Sequence, residues 1–336
     1  MTPVLRAGLI GAGVMGRNHA RILGSLQGVE FVGLADPSGD VHHAAGGAPV
    51  VADVDELLDL GIDYAVVATP TALHLEVGLA LAAAGVHAMV EKPLADTAAR
   101  AEQLAAAFDD AGLVGAVGHI ERFNPALQQA RRRLEDGELG EVYQVVTRRQ
   151  GPFPGRIADV GVVKDLATHD IDLTAWVTQR DYVSVAAQTA HRSGRDHEDL
   201  VAFVGSLGGG IVTSHLVNWL SPLKERVTVI TGERGAFIAD TLTADLTFCA
   251  NGLVAAQWSD LARFRGVSEG DVIRYAIPKP EPLRVEHEQF RDAVIGKPTH
   301  VVTMSQGLRT VEVAEAVLAS AATGTAVQLD AAEVDR

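Results

Sequence analysis

Three places in this 336-residue chain combine residue types that could do chemistry at useful spacings. The first is Gly11-Ala-Gly-Val-Met-Gly16, with Asp36 twenty residues after its last glycine. An apolar run from Val4 to Ile10 precedes it, a helical pattern from Val14 to Leu23 follows, and a second apolar run, Phe31 to Ala35, ends on the aspartate. Strand, glycine turn, helix, strand and acid in that order are the parts of a dinucleotide-binding βαβ unit. Gly11 permits the tight turn, Gly13 lets backbone approach a pyrophosphate, and Gly16 lets helix and strand pack closely. Val14 and Met15 open the helix, whose free N–H groups and dipole favour phosphate. Asp36 would accept hydrogen bonds from the adenosine ribose hydroxyls. Its charge repels a 2′-phosphate, and Pro37-Ser-Gly-Asp40 offers no Arg or Lys to offset that, so NAD is expected rather than NADP.

The second place is Glu91-Lys92-Pro93, at the C-terminal end of a predicted strand. Ligands of open parallel sheets bind outside the carboxyl ends of the strands, which aims Lys92 at the cofactor cleft; solvated surface is the alternative. The third is Asp165-Leu-Ala-Thr-His-Asp-Ile-Asp172 in a helical stretch. Positions 165, 169 and 172 fall on one helix face. There the Asp165 carboxylate can hold the tautomer of His169 and stabilise its cation, as general-base catalysis requires. An exposed polar helix face is the competing reading.

Elements must position these groups. To about residue 120, strands and helices alternate, the pattern of a doubly wound parallel sheet. Helices are expected near Val54–Leu60, Ala72–Ala84 and Thr97–Ala111, and strands at Tyr64–Ala68, His87–Val90 and Leu113–Val117. A helix from Pro125 to Asp136 then leads into long strand-like segments: Glu141–Gln150, Val183–His191, Leu200–Leu207, Ile211–Trp219, Val227–Thr231 and Leu246–Ala250. With Gly208-Gly-Gly210 as a hairpin turn, they predict an open, mainly antiparallel sheet in an α+β domain. Helices close the chain near Val285–Val294 and Ser305–Ala321, before a short segment at Ala326–Leu329. The expected domains are a Rossmann domain over 1–121 and a substrate-binding and oligomerisation domain over 122–336, with the last helices packing back on the first domain. Leu200-Val-Ala-Phe-Val204 is apolar without alternation, so both sheet faces should be covered, one of them by another subunit in a homodimer or homotetramer.

Composition narrows the class. A net charge of −15 argues against nucleic acid or anionic membrane as partner. No stretch approaches the ~18 apolar residues of a membrane helix. No secretory signal is visible, and the one cysteine excludes an internal disulfide or a thiolate metal site; a cytoplasmic enzyme without metal is the expectation. Basic residues nevertheless gather at Arg148-Arg149, Arg156, Lys164 and Lys224-Glu-Arg226.

The glycine motif, Glu-Lys-Pro and the later Asp-x-x-x-His resemble, in order and over essentially the whole chain, the Gfo/Idh/MocA superfamily of NAD(P)-dependent oxidoreductases. The resemblance implies that Lys92, Asp165 and His169 meet at the nicotinamide, with His169 as acid/base, Asp165 its orienter and Lys92 a donor to the reacting oxygen. It implies that the Lys92-Pro93 bond is often cis. It also implies that Thr69, Pro70 and His74, in Ala68-Thr-Pro-Thr-Ala-Leu-His74, lie with Glu91 and Lys92 beside the cofactor. Gly118-His-Ile-Glu-Arg-Phe-Asn-Pro125, Gly151-Pro-Phe-Pro-Gly-Arg156, Asp159–Asp165 and Asn218–Arg226 are similar to nucleotide-sugar 3-dehydrogenases of the UDP-N-acetylglucosamine type. That subgroup implies a nucleotide-sugar substrate touching Glu121, Arg122, Asn124, Arg149, Arg156, Lys164, Lys224 and Arg226 as well as the catalytic trio. Inositol, a free sugar or an aminoglycoside precursor is the alternative substrate, and an NAD(H)-binding sensor the alternative of another class. His19, His215 and Trp219 read as packing groups more readily than as ligands, while Trp176, on the same helix stripe as 165, 169 and 172, either walls the site or packs.

Overall fold

The computed structural model describes residues 4–155, 160–252 and 269–330. The chain divides into two compact units, 1–120 with 280–315 and 121–279 with 316–336.

The first unit alternates strand and helix: β1 (Leu5–Ile10), α1 (Val14–Leu23), β2 (Val29–Ala35), β3 (Val50–Val51), α2 (Val54–Asp59), β4 (Tyr64–Val67), α3 (His74–Ala83), β5 (His87–Glu91), α4 (Ala98–Asp110) and β6 (Gly115–Gly118). The sheet is parallel, in the order β3-β2-β1-β4-β5-β6, so the winding direction reverses beside β1. This is where a doubly wound sheet opens its ligand crevice. Both faces are filled, which is why the strands read as continuous apolar runs rather than alternating ones. Ile10, Val67, Val90, Leu104 and Phe108 pack on one side, and Leu9, Leu34, Val66 and Phe290 on the other. Phe290 belongs to α7 (Pro282–Val294) and meets the Tyr64 ring edge-on at 5.4 Å. Side-chain caps fix helix starts: Asp53 accepts from the Glu56 N–H and Thr97 from that of Arg100.

The second unit carries α5 (Pro125–Glu135), β7 (Val142–Pro152), a π-helical turn (Val163–Ala167) running into α6 (Thr168–Thr178), and then β8 (Tyr182–Ala190), β9 (Leu200–Leu207), β10 (Val212–Asn218), β11 (Leu220–Gly232), β12 (Gly235–Asp240), β13 (Asp245–Asn251) and β14 (Glu269–Arg274). The long helix α8 (Met304–Thr323), inside which the two units divide, leads to β15 (Val327–Gln328). Nine strands form one sheet, β14-β13-β12-β11-β7-β10-β9-β8-β15, antiparallel throughout except that β7 and β10 run parallel. Strands β3, β12 and β14 were not expected from sequence, and β11 is far longer than Val227–Thr231. Gly235 and Ala236 opening β12 and the charged ends of β14 mask their periodicity.

Within one chain only one face of Leu200–Val204 is covered, and the other is open. Burial alternates: Val201 and Phe203 are buried, whereas Ala202 and Val204 are exposed. The same parity runs across the sheet. Val185, Thr147, His215 and Phe237 point inward; Val146, Leu216, Val227 and Val229 point outward with Val204 and Val212, the last two each half exposed. Helix α6 packs on β7, and α5 on β12 and β13.

Candidate active site

The glycine turn is built as a phosphate cradle. Gly11 has φ +97°, and a Cβ there would stand 2.6 Å from the Ala68 carbonyl oxygen. A Cβ on Gly16 would come within 1.9 Å of the Gly11 carbonyl oxygen. Nothing lies within 4 Å of a Cβ on Gly13, and Gly13 and Val14 are exposed at the start of α1, with Met15 half-buried. No side chain caps that helix, so its first N–H groups remain for an anion. The Asp36 Oδ2 accepts from the Ala12 N–H at 2.7 Å and Oδ1 from the Ser38 N–H at 2.8 Å. A carboxylate has roughly four lone-pair positions, so two backbone bonds fix its orientation and leave capacity for a ribose diol. Thr69 Oγ1, in the loop after β4, is buried with no hydrogen-bond partner among the described residues, and Pro70 beside it is exposed. These features fit a dinucleotide. His74 does not present itself to a ligand: it is 1% exposed, with Nδ1 2.9 Å from the Pro93 carbonyl oxygen and Nε2 3.1 Å from that of Thr69. Burial lowers its pKa despite those carbonyls, and the ring bolts the Thr69 loop to the segment after Lys92.

Lys92 is half-buried directly after β5, and its bond to Pro93 is cis. Glu91 is buried. One oxygen accepts from the Lys92 N–H at 3.1 Å and the other lies 2.9 Å from His19 Nε2. Burial pushes the Glu91 pKa up, but the His19 hydrogen bond and the His19 and Lys92 charges outweigh it and the net shift is down.

In the second unit, Asp165 sits in the π-turn and His169 follows in the first turn of α6. A π-turn widens the i→i+4 ladder to i→i+5, and such turns recur at functional sites. Asp165 is 7% exposed and His169 half-buried, with Nδ1 buried. Sequence reasoning missed what holds this segment. Buried Glu198 accepts from the Val163 N–H at 3.0 Å, and its backbone oxygen from Val162 at 3.0 Å. A Cβ on Gly161 would occupy the Glu198 carboxyl group, which is why glycine precedes the turn. Asp172, which the spacing puts on the same helix face, is gripped by Arg122, whose Nη2 donates at 2.6 Å and Nε at 2.9 Å.

Several candidate substrate cations are committed internally. Arg149 is 2% exposed and donates to Asp170 at 2.9 Å and Glu121 at 2.8 Å. Burial pulls its pKa down, but the two carboxylates overcome that and raise it. Asn124 caps α5 through Ala126 and donates to the Thr241 carbonyl. Arg226, directly across the ladder from Arg149, is three-quarters buried, and its nearest carboxylate oxygen, on Glu121, is 3.8 Å away. Burial, then Arg149, push its pKa down against the pull of Glu121, Asp170 and Asp165. Arg148 turns to the outer face and pairs with Glu225 at 2.8 Å. Lys164 is half-buried, Lys224 exposed, and Arg156 lies outside the described residues. His215 is a core residue, between Thr147 and Tyr182 hydroxyls and stacked on Phe203 at 4.3 Å. Trp176 packs under Arg131, and Trp219 packs edge-on against Phe153.

Residues 5–119 match the oxidoreductase family with NAD-binding Rossmann fold, and residues 127–238 the Gfo/Idh/MocA C-terminal domain. The chain belongs to the Gfo/Idh/MocA oxidoreductase family. Among relatives, it is 33% identical over 191 residues to UDP-N-acetylglucosamine 3-dehydrogenase of Acidithiobacillus ferrooxidans, covering 54% of this chain and 57% of that protein. It is 31% identical over 205 residues to inositol 2-dehydrogenase 2 of Saccharopolyspora erythraea, covering 58% of this chain and 60% of that one. The match thus spans little more than half the length of either relative. A solved structure of UDP-N-acetylglucosamine 3-dehydrogenase GnnA from A. ferrooxidans superimposes with a TM-score of 0.82 at 25% identity, over 94% of this chain and 97% of that one. The first unit of this family member is therefore an NAD-binding domain, and no helix among its described residues is long and apolar enough to cross a membrane.

Proposed function

We propose that this chain is an NAD-dependent dehydrogenase that oxidises a ring hydroxyl, C3, of a UDP-N-acetylhexosamine to the 3-keto sugar in the cytoplasm. Bound NAD supplies the hydride acceptor. In this reading His169 Nε2 takes the hydroxyl proton, Asp165 holds the imidazole and stabilises its charge, and the Lys92 ammonium donates to the oxygen as its carbonyl forms. One C–H and one O–H bond break, one C=O bond forms, and a proton is released through His169. The observation that carries the substrate class is Arg226. It is a largely buried guanidinium next to the Arg149–Glu121–Asp170 network, and no side-chain hydrogen bond of its own is found among the described residues. An anionic group docking there offsets a cation already disfavoured by burial, and a guanidinium can bind phosphate oxygens in a fork.

A second reading has its own support. Arg122 and Arg149 are spent on internal carboxylates, which leaves fewer cations for a diphosphate and favours an uncharged polyol, as does similarity to an inositol 2-dehydrogenase. NADH formation with UDP-GlcNAc, UDP-GlcNAcA, other nucleotide sugars and myo-inositol, each with and without 2-oxoglutarate to reveal hidden recycling, separates them. The first reading expects turnover with a UDP-sugar and a tenfold or greater rise in its KM in Arg226→Met. Faster turnover of myo-inositol, unaffected by that substitution, selects the second.

We also infer a homo-oligomer built through the outer face of the nine-stranded sheet. That face exposes Ala202, Val204 and Val212, and Ala202, Val204 and half-buried Leu216 line a hollow of about 450 Å³, an apolar surface of the kind that marks a protein partner.

A further inference from the structure

Deep in the first unit is a row of ionisable groups that the reaction as proposed leaves without a task. His19, on α1 three residues after Gly16, is fully buried; its Nε2 lies 2.9 Å from Glu91 Oε1 and its Nδ1 2.8 Å from His287 Nε2 on α7. Glu91 Oε2 accepts the Lys92 N–H. His287 is 1% exposed, and its Nδ1 has no hydrogen-bond partner among the described residues.

Proton placement along this row is constrained. Glu91, held below the ordinary carboxylate range, is an acceptor, so His19 Nε2 carries hydrogen and donates. Burial, then the charges of His19 and Arg284, push His287 well below the usual imidazole range, so it is neutral with one N–H. His19 thus bridges its neighbours, one ring nitrogen donating to Glu91 and the other meeting His287, while Glu91 also accepts the Lys92 amide.

The three partners come from three elements with distinct duties. Helix α1 presents its N-terminus to the dinucleotide phosphates, β5 delivers Lys92, and α7 backs both. A chain of buried hydrogen bonds between α1 and the end of β5 fixes the phosphate-binding helix and the Lys92 backbone in a single register. We propose that Glu91 and His19, backed by His287, are positioning residues that set Lys92 relative to the bound dinucleotide. The inference rests on Lys92 acting on the reacting oxygen. A displacement of about 1 Å at such a group can cost on the order of a hundredfold in rate.

Two isosteres of His19 divide the chain. Gln places its amide nitrogen near the Nε2 position and keeps the Glu91 contact; Asn mimics Nδ1 and abandons it. Steady-state kinetics of the full-length protein with NAD and the sugar found active should show His19→Asn lowering kcat 10- to 100-fold with NAD affinity within threefold of the parent. His19→Gln should stay within fivefold. In a Lys92→Met background His19→Asn should change the residual rate by less than twofold, because its effect passes through Lys92. A second readout needs no turnover: ¹³C-dimethylated lysine spectra, with the Lys92 signal assigned through Lys92→Arg, should shift in His19→Asn and stay in place in His19→Gln. Equal effects of the two His19 variants on kcat, or an unmoved Lys92 signal in His19→Asn, overturn the proposal. Parent-level turnover in Lys92→Met instead overturns the role given to Lys92, and the lysine spectra still decide whether the chain positions it.

Discussion

At the scale of single residues, the site depends on groups whose neighbours remove their freedom. His169 is preceded by Thr168, fully buried, whose hydroxyl donates to the Lys164 carbonyl at 2.9 Å, and followed by Asp170, locked to Arg149. An imidazole between two fixed residues has a defined aim, which a general base needs. His169→Ala should lower turnover ~100-fold or more while NADH binding, followed by its fluorescence, is retained. Undiminished turnover removes His169 from the chemistry. A parent protein that binds NADH tightly and turns over nothing in the substrate screen instead points to a sensor on this fold.

At the scale of elements, burial parity decides what each strand can do. Arg148 and Arg149 are adjacent in sequence yet serve opposite faces of β7: one meets Glu225 on the outer face, the other disappears beneath α6. The strand β9 carries Val201 and Phe203 inward and Ala202 and Val204 outward, so its outer edge is apolar without being core. In the oligomer we infer, a glutamate at position 204 would put an unpaired charge in the contact. Val204→Glu should therefore sediment as a smaller species than the parent, with the circular dichroism of each subunit unchanged. An unaltered sedimentation coefficient would exclude this face as the contact.

For the whole molecule, buried neutral imidazoles tie stability to pH. Burial pushes the His215 pKa down to about 3 and lowers those of His74 and His287. In the unfolded chain these rings titrate near 6.5, so below that pH the unfolded state binds protons that the folded state refuses. Their contribution is complete above pH 6.5 and is lost as pH falls toward the folded values, at ~1.4 kcal/mol per pH unit for each ring at full effect. The urea midpoint should stay level from about pH 7.5 to about 6.5 and then fall toward about pH 5, a window above the carboxylate titrations. His215→Gln should flatten that slope, and a parent midpoint constant across the window would contradict the account.

The Rossmann half was legible because its determinants are local. A turn that only glycine can make, a strand that ends on an acid, and caps such as Asp53 and Thr97 act within a few residues, so the linear sequence carries them. The start of α1 and the span of β9 agree with the expectation to the residue. The residue spacing that put Asp165 and His169 on one helix side was also readable. That Asp172 is held by Arg122 was not, because the partner lies fifty residues away. The same holds for Arg149, a plausible phosphate ligand by type until Asp170 and Glu121 close around it, and for His19 and His287, 268 positions apart and 2.8 Å distant. Sequence by itself determined most elements of the first unit, the dinucleotide fold and the identity of the chemical groups, since these follow from backbone sterics and short-range periodicity. Tertiary structure alone decided which charges are spent inside and which remain for a ligand, because burial and pairing depend on residues that only folding brings together.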